Sequence, residues 1–171
     1  GTTSNKFTGA LLITTNDNTD GSDGLYEADV TIDGGEIAAL VIGTSTIDGD
    51  LTLKNGNVSG ITDAVGATVT VNGNLSATTD ANNGIINLDG LAVSGKIQLT
   101  TDGTGAATVV NAYGLDFFLT SIVGGNLIAT ATTGNISDSG TIRVTGATNI
   151  YLGTNPVLTV SGATSATDIN G

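Results

Sequence analysis

Cysteine, histidine, methionine and tryptophan are all absent from the 171 residues, and proline occurs once. Without Cys or His there is no thiolate or imidazole, so the common zinc sites and the Cys–His and Ser–His–Asp nucleophiles are excluded. The missing disulfides fit an extracellular protein that does not use them, or carry no meaning. Cations are almost as scarce: Lys and Arg number 4 against 16 Asp and Glu, for a net charge of −12. Nucleic acid and anionic membranes are bound by clustered Lys and Arg, and Lys6, Lys54, Lys96 and Arg143 form no cluster. The acidity serves either solubility or the binding of divalent cations outside the cell. Aromatics are 4%, too few for a thick globular core. No signal-peptide pattern is expected from these residues, and no apolar run is long enough to cross a bilayer. The lack of an initiator Met leads us to expect a mature or excised piece of a longer chain.

What the chain does have is a short alternating pattern, clearest in Ala67–Thr78. Apolar or small residues take the odd positions (Ala67, Val69, Val71, Gly73, Leu75, Ala77), and polar residues take the even ones. A period of two is the mark of a half-buried strand. Gly73 stands in the inward phase without a side chain, which marks a corner or the close approach of another backbone. The unit therefore reads strand, corner, strand.

The unit recurs, with its last glycine at 9, 35, 49, 73, 95, 125, 146 and 162. The mean spacing is about 22 residues, a period that points to a solenoid in which each repeat is one coil. The short gaps, Gly35 to Gly49 and Gly146 to Gly162, read as second corners of one coil, which leaves six to eight coils. Gly49, Gly73, Gly95 and Gly146 share one phase and are expected to stack in one column. Two copies carry a doubled glycine, Gly34–Gly35 and Gly124–Gly125, as a β-bulge would need. No window has helical periodicity. The expectation is an all-β, single-stranded parallel β-solenoid over 1–171, one domain, with a loop insertion at about 14–29.

That insertion contains the best candidate site. Residues 16–27, NDNTDGSDGLYE, approximate a calcium loop, D-x-[DN]-x-[DN]-G-x5-E. Asn16, Asn18 and Asp20 take positions one, three and five, Gly21 the sharp turn, and Glu27 the place of the bidentate carboxylate. The plainer reading is a solvated Asn/Asp/Gly turn. Asp48 and Asp50 flank Gly49 on one face and would form a glycosidase pair, but with no aromatic platform nearby they read as surface charge. No enzyme is expected. Tyr113, Phe117 and Phe118 either line a contact or fill a wide coil. Asn74 and Asn126 follow corner glycines and suggest an amide ladder between coils.

The stretch Gly124-Gly125-Asn126-Leu127 through Gly134-Asn135-Ile136-Ser137-Asp138-Ser139-Gly140-Thr141-Ile142-Arg143-Val144-Thr145-Gly146 resembles the repeats of large secreted bacterial adhesins of the filamentous-haemagglutinin type. Gly43–Leu51 and Asn5–Gly9 match other elements of such repeats, and the similarity covers most of residues 5–150. The resemblance implies a right-handed parallel β-helix in an extracellular filament or adhesin at the cell surface. The expected partners are further copies of the chain, head to tail or as tandem repeats, and surface glycans or other cells. A carbohydrate-binding or carbohydrate-cleaving β-helix is the alternative, discriminated by aromatics exposed in a line along one flank. The alternation alone also allows a β-sandwich, which parallel pairing would exclude.

Overall fold

The computed structural model describes residues 5–16 and 28–153, together with the backbone of 158–159. No helix occurs among the described residues. The first coil is β1 (Val30–Asp33), β2 (Leu40–Ile42) and β3 (Ser45–Ile47); the second is β4 (Leu51–Asn55), β5 (Ile61–Asp63) and β6 (Val69–Val71). The third is β7 (Leu75–Thr79) and the long β8 (Ile86–Val93), and the fourth is β9 (Ile97–Thr101) and β10 (Ala107–Asn111). The fifth is β11 (Leu115–Phe117), β12 (Thr120–Val123) and β13 (Leu127–Ala131). The sixth is β14 (Ile136–Asp138), β15 (Thr141–Val144) and β16 (Thr148–Leu152), after which β17 (Leu158–Thr159) begins another.

Each strand pairs in parallel with its equivalent one coil on. One sheet runs β1-β4-β7-β9-β11-β14-β17 and the other β2-β5-β8-β10-β13-β16. The chain is thus a parallel β-solenoid of about six turns, and the β-sandwich is excluded. Inward residues stack in columns between the sheets: Leu51 pairs with Leu75 and Leu75 with Ile97, all fully buried. Column packing of this kind needs aliphatic side chains rather than aromatics, and Phe117 is the one aromatic among the most deeply buried residues.

The coils are not uniform. The first three have a third face, in which β3 pairs with β6 and β6 with the end of β8. That face stops at Val93. Register steps shorten with it, from 24 residues (Leu51 to Leu75) to 20 (Ile97 to Phe117). The buried end of the face is closed by Asn111, whose Oδ1 accepts the Val93 N–H at 2.8 Å while its Nδ2 donates to the Val93 carbonyl at 3.0 Å and the Gly114 carbonyl at 2.7 Å. One carboxamide stands in for the missing strand, because a buried peptide group without a partner is costly.

The corner glycines divide into two columns. Gly73 N–H donates to the Gly49 carbonyl and Gly95 N–H to the Gly73 carbonyl, each at 3.1 Å, so these three stack as expected. Gly146 does not join them. Its N–H donates to Gly125 at 3.0 Å and Gly125 donates to Gly105 at 2.8 Å, a column at the opposite corner. The physical need is the same in both: a Cβ on Gly73 would lie 2.6 Å from the Gly49 carbonyl oxygen, and one on Gly146 2.7 Å from that of Gly125. The motif thus reports a corner without saying which. Gly35 and Gly49 do sit at opposite corners of one coil. The doubled glycines lie in corners between strands, not in bulges within them.

Candidate functional site

The corners carry the polar chemistry. Along the first column the residue after the corner accepts, through a side-chain oxygen, the backbone N–H of its equivalent one coil on. The run goes from Asp29, where Ala28 stands in place of glycine, as far as Lys96, which has no such oxygen. Asp29 takes Asp50 N–H at 2.7 Å, Asp50 takes Asn74 N–H at 2.7 Å, and Asn74 takes Lys96 N–H at 2.9 Å. Asn126 does the same for Ala147 at 2.9 Å in the second column. Asn74 and Asn126 therefore perform one task at two corners rather than stacking on each other. Asp48 accepts Asn72 Nδ2 at 2.7 Å, so both carboxylates flanking Gly49 brace the next coil.

Buried polar residues that sequence reasoning passed over serve the same end. Thr79 and Thr101 donate to the carbonyls of Gly84 and Gly105, each at 2.7 Å, and Ser121 Oγ accepts the Leu99 N–H at 3.1 Å where β11 and β12 part over β9. Asn55, Thr79, Thr101 and Asn111 are each the last residue of a strand and in its inward phase. A polar residue at that position is the signal that would have found them. Thr148 is the exception: it is buried on β16, and its Oγ1 has no partner among the described residues.

Asp63 is perturbed. Burial pushes its carboxyl above the usual carboxylate range and the neighbouring Asp89 carboxylate adds to this, against the backbone N–H groups of Gly90 and Asp89 that it accepts at 2.6 and 3.2 Å.

The residues flanking the acidic stretch meet near Gly49, where Thr15 Oγ1 donates to the Ala28 carbonyl at 3.2 Å and accepts the Asp48 N–H at 3.0 Å. Asn16 is exposed there. Asn18, Asp20 and Glu27 lie outside the described residues, so the calcium loop is not seen as a unit. No group of three or more carboxylates placed to hold a metal occurs among the described residues.

One concavity has the makings of a binding site. It lies at the corner where the third face ends. Phe117 pairs with Ile97, which sets Leu115 level with Gly95, so β11 starts two residues earlier than β9. The step leaves an open notch of about 290 Å³ between Ser94 and Gly95 on one side and Tyr113, Asp116, Asn135 and Ser137 on the other. Tyr113 is half exposed, Phe118 half-buried, and Phe117 belongs to the core, so the aromatic trio is split among three environments. Lys96 Nζ sits 3.2 Å from Asp116 Oδ2 and donates to Ser139 Oγ at 2.9 Å, and Asp116 Oδ1 accepts the Ser139 N–H at 2.8 Å.

Residues 104–163 match the model of a family described as repeats of unknown function, DUF5649. The match covers the coils with short steps, the second glycine column and much of the notch. It agrees with a repeat protein built as a solenoid. No curated protein and no solved structure matches the chain.

Proposed function

We propose that this chain is a structural and adhesive module of an extracellular bacterial filament or cell-surface fibre of the filamentous-haemagglutinin-like kind, its copies stacked head to tail as separate chains or tandem repeats. The observation that supports this reading is the parallel coil-on-coil ladder, which runs from β1 to β17 and offers the same backbone pairing to a further copy. Leu11 and Thr14 bridge in parallel to Ile42 and Thr46, so the chain lies over the second sheet and third face at residues 11–14. It reaches β17 on the first sheet. In this reading β1 of a following copy adds to the first sheet beyond β17 by the same parallel pairing that joins β1 to β4 and β14 to β17. Thr148 Oγ1, buried and unpartnered among the described residues, faces the same requirement that Ser121 meets elsewhere. Such a contact is heterologous and non-closing, so it makes open filaments. In this reading the acidic stretch over residues 16–27 takes up Ca²⁺.

The test is electron microscopy and light scattering of the purified chain over a concentration series. Thr46 N–H donates to Ile13 and Thr15 N–H to Thr46, which turns the N–H of Thr14 away from its own coil. Thr14→Pro removes that donor from the outer edge while keeping the inner bonds. The expected result is filaments from the parent chain and monomers from the variant. A parent chain that stays monomeric at the highest concentration refutes the reading.

A further inference from the structure

We propose that the notch beside Tyr113 binds one ring of a neutral sugar. This bears on the adhesive half of the reading above and is independent of stacking, since every residue it uses lies within one chain.

The shape is fixed by the backbone. The third face ends at Val93, Asn111 seals that end, and the early start of β11 forms the opposite wall. Nothing has to move to create the concavity, so a ligand meets a preformed site. Its volume of about 290 Å³ lies just below the roughly 300–1,000 Å³ of small-molecule sites, which suits a single ring held at an open edge rather than a buried cofactor.

The lining chemistry is that of sugar recognition. Tyr113 is 49% exposed and offers a ring for the C–H face of a pyranose. Asp116 accepts one bond from Ser139 N–H and one from Lys96, and an ionised carboxylate has about four acceptor sites, so two remain for sugar hydroxyls. Ser94 and Ser137 add hydroxyls that both donate and accept. A ring to stack on with a few fixed polar groups beside it is the arrangement that orients a polyol. Charge selects within the class. Lys96 is tied to Asp116, and the chain carries −12 overall, so acidic sugars are repelled and neutral ones are not.

The experiment is saturation-transfer NMR together with tyrosine fluorescence on the full chain. The probes are the methyl glycosides of glucose, galactose, mannose and N-acetylglucosamine, with glucuronic acid as the acidic comparison. We expect saturable binding of at least one neutral glycoside with Kd on the order of 1 mM, and weaker binding of the acid. Tyr113→Ala should weaken it roughly tenfold or more, Tyr113→Phe by less than about threefold, and Asp116→Asn by roughly fivefold. Ser94→Trp, which fills the notch from the other wall, should abolish binding and guards against misfolding of the Tyr113 variant. No saturable binding by any neutral glycoside, undiminished binding in Tyr113→Ala or Ser94→Trp, or tighter binding of the acid would each overturn the proposal. A monomeric chain that binds sugar refutes the filament and leaves this site standing; a filament that binds none does the reverse.

Discussion

Asn111→Ala is the most informative single change for the fold. The Asn111 side chain is fully buried and makes three hydrogen bonds, two of them to the one peptide edge of Val93. Truncation leaves the Val93 N–H, its carbonyl and the Gly114 carbonyl without this partner. A buried polar group left unpaired costs about 1–3 kcal/mol. The three sites are neighbours and do not add in full, and Gly114 is only half-buried, so we expect a loss of about 3 kcal/mol. The control is Asn74→Ala, which removes the acceptor of the Lys96 N–H at an exposed corner where water can replace it. Its expected cost is about 0.5–1 kcal/mol. Urea unfolding monitored by circular dichroism compares the two. Solenoids can unfold in parts, so hydrogen exchange at the Val93 amide supplies a local reading, and its protection should fall in the Ala variant. An Asn111→Ala protein within about 0.5 kcal/mol of the parent, with Val93 still protected, would refute the claim that this carboxamide replaces a strand.

Gly73→Ala places a Cβ 2.6 Å from the Gly49 carbonyl oxygen, where backbone has to shift, and should cost about 1–3 kcal/mol in thermal or urea unfolding. Gly9→Ala, with nothing within 4 Å, should stay within about 0.5 kcal/mol, and equal losses in the two would show that the stacked corner does not matter. The carboxyl of Asp63 is raised in the folded state, chiefly by burial, so the fold binds its proton more tightly than the unfolded chain does. Its contribution is therefore present below the unfolded pKa and is lost as pH rises through the folded one. Asp63→Asn should gain on the parent as pH rises through that window; stability curves of the two proteins that run parallel from acid to neutral pH would contradict it.

The period-two pattern carried the fold because each coil buries one face of every strand. All six odd positions from Ala67 to Ala77 are buried, and none of the intervening polar residues is. Parallel stacking followed from recurrence. What stayed hidden was the difference between coils. A glycine corner looks the same at either end of a strand, so the pattern alone groups Gly146 with Gly73. The 30-residue gap between Gly95 and Gly125 is the trace of the change: half a turn to Gly105, then a whole coil. The third face was also invisible, since β3 and β6 are three residues each and read as parts of longer repeats. The buried Thr and Asn residues looked like turn residues because they stand next to turns. The notch depends on register between coils, which a single sequence does not print. The calcium loop was legible as a motif, and Asn18, Asp20 and Glu27 lie beyond the described residues.

A uniform solenoid has uniform flanks, and a notch confined to one corner arises where two adjacent coils differ in shape. Here the change occurs once on this flank, between a coil with three faces and a coil with two, and Asn111 is what makes it tolerable. Its carboxamide closes the third face, and the shortened coil then brings Tyr113 to the corner two residues later. The same substitution that tests the fold therefore tests the notch. If Asn111→Ala leaves a folded protein, the loosened edge of Val93 should widen the gap between Ser94 and Tyr113. Sugar binding would then weaken although no residue of the notch has been altered. Binding retained at full strength in a destabilised Asn111→Ala protein would separate the two and place the origin of the notch in β11 alone.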